Sequence, residues 1–233
     1  MKILSPTLWL RKAGAVLRTI DAALFGIPFA QYHRVLREVV LGSGCESLLD
    51  IGCGEKSPIH LFTSAIPRTV GVDAHGPSLE ASRDAGVHGE YVQLDITEIG
   101  GRFQSRSFDC VVALDVIEHL SREEGLRLLD AMETIAGKRV VVFTPNGFLF
   151  QPPEPGNPHQ EHVSGWTAAE MRDRGYDVIG IAGWKPLRGP YVKPRWRPHA
   201  VWERLALLTE HAFESRPDSA FQILCVRTRS GTA

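Results

Sequence analysis

Apolar residues in the first forty positions recur at helical spacing. Leu8, Leu10, Val16, Leu17, Ile20 and Leu24 make one broad face, the 3.6-residue period of an amphipathic helix. Gly26-Ile27-Pro28 breaks that period, because glycine and proline punctuate regular structure. A second amphipathic segment follows from Phe29 to Leu41. From Ser47 onward the pattern changes to short apolar runs separated by helical stretches: Leu48–Ile51, Thr69–Val72, Tyr91–Leu94, Cys110–Leu114 and Arg139–Phe143. Runs this short and this rich in Val, Ile and Leu suit strands buried on both faces, as in a parallel sheet.

Alternation of strand and helix predicts right-handed crossovers and a doubly wound α/β layer. Tyr176–Ile181 and Phe221–Val226 add two strands at the end of the chain, separated by a long insertion over 183–218. The expected fold is therefore a mostly parallel seven-stranded sheet with a terminal antiparallel strand. Its expected organisation is an N-terminal helical lid over 1–42 and an α/β domain over 43–233.

Composition narrows the function classes. A formal net charge of −1 over 233 residues excludes a globally basic nucleic-acid binder. The four cysteines, Cys45, Cys53, Cys110 and Cys225, form no CxxC pair and no zinc spacing; buried reduced thiols and a cytoplasmic location are expected. Lys2, Arg11, Lys12, Arg18 and Asp21 interrupt the N-terminal apolar residues, so neither a signal peptide nor a spanning helix is expected there.

Candidate chemistry sits at the strand ends. The first strand runs into Asp50-Ile51-Gly52-Cys53-Gly54, where glycines let the backbone turn sharply and approach a ligand. An anionic pyrophosphate would be repelled by Asp50, whereas a ligand bearing ammonium and sulfonium groups suits it. The next two strands end at Asp73 and Asp95-Ile96, placed for ribose hydroxyls and for an adenine amine and ring. LLDIGCG, VGVD, QLDI and FDCVVALDVIEHL, in that order, resemble the successive cofactor motifs of class I S-adenosylmethionine-dependent methyltransferases, over about 47–182. The resemblance implies a Rossmann-like methyltransferase fold with S-adenosylmethionine as cofactor. It places Asp50, Gly52 and Gly54 around the methionine part, Asp73 at the ribose, Asp95 and Ile96 at the adenine, and Leu114 in the cleft wall.

Methyl transfer needs an in-line arrangement and, for a hydroxyl acceptor, a base. His119 and His162 are the candidate bases. Asp115, Glu118 and His119 also form a DxxEH spacing; it resembles the ExxEH pattern of some metal-using methyltransferases, with His159 or His162 as a distal ligand. Its first acid is one methylene shorter, and no metal is assigned. The insertion GWKPLRGPYVKPRWRPHA over 183–200 is basic and aromatic without an acid. Arg188, Arg195 and Arg197 are therefore expected to meet an anionic group on a small-molecule acceptor. The expected activity is O-methylation of a small metabolite, glycan precursor or lipid head group. RNA methylation through the insertion and a non-catalytic cofactor-binding module are the alternatives.

Overall fold

Each of the seven apolar runs becomes a strand of one sheet in the computed structural model, which describes residues 29–153 and 157–229. The strands are β1 Ser47–Ile51, β2 Arg68–Asp73, β3 Glu90–Gln93, β4 Phe108–Leu114, β5 Ala136–Pro145, β6 Asp177–Trp184 and β7 Ala220–Thr228. Their order is β3-β2-β1-β4-β5-β7-β6. β1 pairs in parallel with β2 and β4, and β7 runs antiparallel to both β5 and β6. The order reverses between β1 and β4, which opens a crevice at the carboxyl ends of those strands.

Helices cover both faces: α1 Ala30–Leu41, α2 Gly76–Asp84, α3 Ile99–Arg102, α4 Arg122–Ile135, α5 Ala168–Asp173 and α6 His199–Glu214. Strand alternation divides the core. Val111 and Ala113 of β4 join the cluster with Leu128, Leu129 and Met132 of α4. Cys110, Val112 and Leu114 join the opposite cluster with Tyr32, Val35, Leu36 and Val40 of α1. The start of α4 is set by a capping box, Ser121 with Glu124, which satisfies two orphan backbone donors.

α1 is part of the layer covering one sheet face. The Gln31 amide donates to the Gly180 carbonyl at 3.2 Å and accepts from the Ala182 amide at 3.2 Å, stapling the helix to β6. The rest of the expected lid, including Trp9 and Phe25, lies outside the described residues. The insertion differs from the basic loop expected of it, since its second half is α6. That helix lies directly on β6: a Cβ at Gly180 would meet the Phe213 carbonyl at 2.0 Å, and one at Gly183 the Thr209 hydroxyl at 2.3 Å. Among the described residues, all four cysteines are buried and free, and no helix is long and apolar enough to cross a membrane.

Candidate active site

A cleft of about 340 Å³ opens at the strand ends, with Gly52, Gly54, Asp73, Asp95, Ile96, Asp115 and His119 in its lining. Gly52 and Gly54 have φ of 67° and 56°, the left-handed region that glycine enters without a Cβ penalty. A Cβ at Gly52 would also meet Val116 Cγ2 at 2.6 Å, whereas Gly54 faces open space. Asp73 holds this loop in place, accepting from the Gly54 amide at 2.8 Å and from the His75 amide at 2.8 Å. Asp95 accepts from the amide and hydroxyl of Thr97 at 2.9 and 2.8 Å, and these bonds hold its carboxyl below the usual range. Bare backbone on one side and two acid side chains with further lone pairs on the other fit a ligand that carries hydroxyls and amines.

Two expected cofactor residues sit elsewhere. Asp50 is 1 % exposed and turns toward His88, with Oδ2 at 3.1 Å from Nε2. The two atoms are close but lack the alignment of a hydrogen bond, and both stay unpartnered. Asp50 thus supports the loop from beneath, outside the cleft lining. Leu114 packs in the cluster under α1, because strand parity sends Ala113 and Leu114 to opposite faces. The residue that reaches the cleft there is Asp115, turned in by a φ of 54°.

Asp115, His119 and Gln160 also line a smaller chamber of about 210 Å³, together with Glu118, His162, Tyr191, Val192 and Gln222. The segment after β5 is stitched to the turn Ile117–His119. The Glu118 carbonyl accepts from the amides of Val163 and Ser164 at 2.9 and 3.0 Å. The Ile117 carbonyl accepts from the Ser164 hydroxyl at 3.1 Å and the Trp166 indole at 3.2 Å. Trp166 is buried against Gly125, where a Cβ would collide with its ring at 2.4 Å.

This stitching brings the two expected histidines together, their rings 4.8 Å apart and edge to face. Nδ1 of His119 lies 3.0 Å from the Glu161 carbonyl, and Nδ1 of His162 lies 2.7 Å from the Leu149 carbonyl. A carbonyl only accepts, so in the neutral ring each Nδ1 carries the proton and Nε2 is the basic nitrogen; the His119 ring also lies within reach of the Asp115 backbone. Burial lowers both imidazole pKa values below the ordinary histidine range, favouring the neutral rings.

The acids beside them shift the other way. Burial pushes Glu118 well above the ordinary carboxyl range, and the neighbouring Asp115 adds to it. Thr144 donates to one Glu118 oxygen at 2.9 Å, and the other has no partner. Asp115 lies deep among protein atoms, and burial pushes its pKa to about 7. Its carboxyl is nonetheless open to the cleft, and water there offsets part of that desolvation. Ligand atoms of Glu118, His119 and His162 lie within 4.8 Å of one another, so a divalent cation could be held by one carboxylate and two imidazoles. Asp115 and His159, the other members of the expected metal pattern, are not in that group.

The insertion arginines are dispersed. Arg188 is 4 % exposed. It donates to the carbonyls of Ala182 and Val192 at 2.8 Å each and pairs with Glu203 and Glu210. The expected free cation is therefore an internal strut, because two acids of α6 fold back onto it. Arg195 and Arg197 are exposed and line neither the cleft nor the chamber. Residues the sequence reading passed over include Gln160 and Gln222 in the chamber and Tyr32 of α1. Gln160 had a usable signal, its place between His159 and His162; Tyr32 in an amphipathic pattern looks like any core residue.

Residues 49–143, from β1 into β5, match the family model of a methyltransferase domain. No curated protein matches the chain significantly. Among solved structures, a SAM-dependent methyltransferase from Archaeoglobus fulgidus aligns with a TM-score of 0.55 at 17% identity, covering 91% of this chain and 99% of that one. The magnesium protoporphyrin IX methyltransferase of Synechocystis, with bound SAH, aligns with a TM-score of 0.50 at 14% identity over 86% of this chain and 83% of that one. The [4+2]-cyclase SpnF aligns with a TM-score of 0.55 at 15% identity over 87% and 82%. At such identities the likeness shows the fold alone, and folds of this kind host more than one chemistry.

Proposed function

We propose that this chain, whose residues 49–143 match a methyltransferase domain, is a class I S-adenosylmethionine-dependent methyltransferase that transfers a methyl group to an oxygen of a small-molecule acceptor held in the chamber beside the cleft. S-adenosylmethionine supplies the electrophilic methyl and leaves as S-adenosylhomocysteine. Asp73 holds the ribose hydroxyls, and Asp95 with Ile96 receives the adenine. Gly52 and Gly54 let the backbone approach the methionine part.

One observation carries the oxygen-acceptor reading: Asp115, His119 and Gln160 line both the cleft and the chamber, so donor and acceptor meet across them. His119 faces both spaces and is the base. Its Nε2 takes the acceptor proton as the new carbon–oxygen bond forms and the methyl–sulfur bond breaks. His162 packs edge to face on that ring and positions it. A neutral imidazole is the form the base needs, and burial supplies it. Holding the reactants in line supplies much of the remaining acceleration, up to roughly 7–11 kcal/mol.

The test is incubation with methyl-labelled S-adenosylmethionine and a metabolite extract, with mass identification of the labelled product. An O-methylated small molecule is expected. Tight S-adenosylhomocysteine binding with no labelled product from any extract would assign the chain to the non-catalytic binding modules instead.

A further inference from the structure

A second cavity adjoins the chamber without touching the cofactor cleft. It holds about 270 Å³ and is lined by α1, β6 and the insertion, with Phe29, Tyr32, Ile181, Val192 and Pro194 as its apolar wall. It shares Tyr191 and Val192 with the chamber and no lining residue with the cleft. The charged groups in its wall cancel. Arg188 is spent on two carbonyls and on Glu203 and Glu210, and the remaining cation, Lys193, is exposed and lies over the Tyr191 ring at 5.3 Å.

The partition between the two spaces is strained. Tyr191 and Val192 have φ of 57° and 59°, and a β-branched residue is a genuine outlier there. Arg188 enforces the conformation by binding the Val192 carbonyl, and Gly189 donates to the Lys193 carbonyl at 2.8 Å to close the turn. A strained pair held by a buried arginine at the junction of two cavities points to a functional wall.

One residue of the cavity wall, Tyr32, carries a buried orphan polar group. Tyr32 is 4 % exposed, its hydroxyl has no partner, and its ring is fixed by stacking on Phe143 at 4.2 Å. Burial raises its pKa, with further contributions from Asp115, Asp50 and Glu118; the hydroxyl therefore keeps its proton and lies within the field of the chamber acids. Buried polar groups in native proteins have partners unless a ligand supplies one.

We infer that this cavity seats the uncharged apolar body of the methyl acceptor, a hydrophobic hydroxyl compound whose reacting oxygen lies in the chamber at His119 and whose body presents a polar atom to the Tyr32 hydroxyl. The inference rests on the methyl-transfer reading and names its substrate class. An anionic acceptor body is disfavoured there, because Glu203 and Glu210 already hold Arg188 and the other cation, Lys193, is exposed to solvent.

Calorimetry on the full chain saturated with S-adenosylhomocysteine tests it, with 2-naphthol and 1-octanol as neutral probes and naphthalene-2-sulfonate as the anionic one. At least one neutral probe is expected to bind at least tenfold more tightly than the sulfonate. Tyr32→Phe should weaken that probe about five- to tenfold, the worth of one hydrogen bond, while leaving S-adenosylhomocysteine affinity within about twofold. Removing an unpartnered hydroxyl should not lower the melting temperature of the free protein, so a merely structural role predicts no change in probe affinity. Failure of both neutral probes, tighter sulfonate binding, or probe affinity unchanged by Tyr32→Phe would each overturn the inference. Failure to bind S-adenosylhomocysteine would overturn the methyl-transfer reading itself, and the two failures are read in separate titrations.

Discussion

The two sides of the active site are built by opposite means. On the cofactor side, β1, β2 and β3 deliver Gly52, Gly54, Asp73 and Asp95 from consecutive strand ends. Among the described residues, the left-handed ones there are Gly52, Gly54 and Asp115. On the acceptor side, Ala182 near the end of β6 and Tyr191 and Val192 of the segment between β6 and β7 lie in the left-handed region, and a buried arginine holds the turn of that segment. On the cofactor side glycine takes most of the left-handed backbone without a Cβ penalty. Strain is concentrated where the chain has to shape its own wall, and residues there bear on the acceptor alone.

The sharpest break in that comparison is at His119, which both sides share. His119→Gln is expected to lower kcat by about 10²–10⁴, the range for a general base, with S-adenosylmethionine affinity nearly unchanged. Because burial lowers the imidazole pKa, the neutral base persists through pH 7, and kcat/KM should fall only as pH drops below the ordinary histidine value of about 6.5. Activity should persist in EDTA. Its loss, with recovery on added Mg²⁺ or Mn²⁺, would reassign His119 and His162 as ligands.

On the cofactor side alone, Asp73→Ala should weaken S-adenosylmethionine by roughly 1.5–3 kcal/mol, the range for hydrogen bonds to a charged group. Acceptor KM measured at saturating cofactor should stay close to wild type. A larger shift in acceptor KM than in cofactor affinity would erase the division between the two sides.

Asp115 gives a smaller effect, read in stability. Its pKa is raised in the folded chain, to about 7, from about 3.9 unfolded. The folded state therefore binds the extra proton between those values. Stability from this group is full below about pH 4 and is lost as pH rises through about 7. Asp115→Asn, which tolerates the left-handed backbone, should match wild type at pH 4 and exceed it modestly at pH 8, since cleft water limits the shift. Equal melting temperatures at pH 8 would contradict the raised pKa of this acid.

The smallest expected effect is on the surface. Replacing Arg195 and Arg197 together by Gln should change acceptor KM less than about twofold, because both side chains are exposed and surface substitutions act weakly. A strong rise in KM would restore the anionic acceptor that the basic composition of the insertion suggested.

Sequence reading was strong where one residue type has one physical reason. Strands of a packed sheet read as short apolar runs, so all seven were legible, including edge strand β3 and the antiparallel β6–β7 pair. Gly52 and Gly54 follow from a sharp turn, and Asp73 and Asp95 from their strand ends. It failed where a long-range partner decides. Arg188 looks like a solvated cation until Glu203 and Glu210 of α6 reach it. Leu114 was misplaced by a single step of strand parity, and Asp50 by a histidine 38 positions away in β3's approach. α6 itself went unread because prolines and basic residues dominate the 183–200 stretch before it.

The division of labour between the two sides is tested most directly by crossed calorimetry. S-adenosylhomocysteine and 2-naphthol are titrated separately into wild type, Asp73→Ala and Tyr32→Phe, the naphthol titrations at saturating S-adenosylhomocysteine. The account predicts that Asp73→Ala weakens only S-adenosylhomocysteine and that Tyr32→Phe weakens only 2-naphthol. Either variant weakening both ligands equally, while still folded, would contradict it.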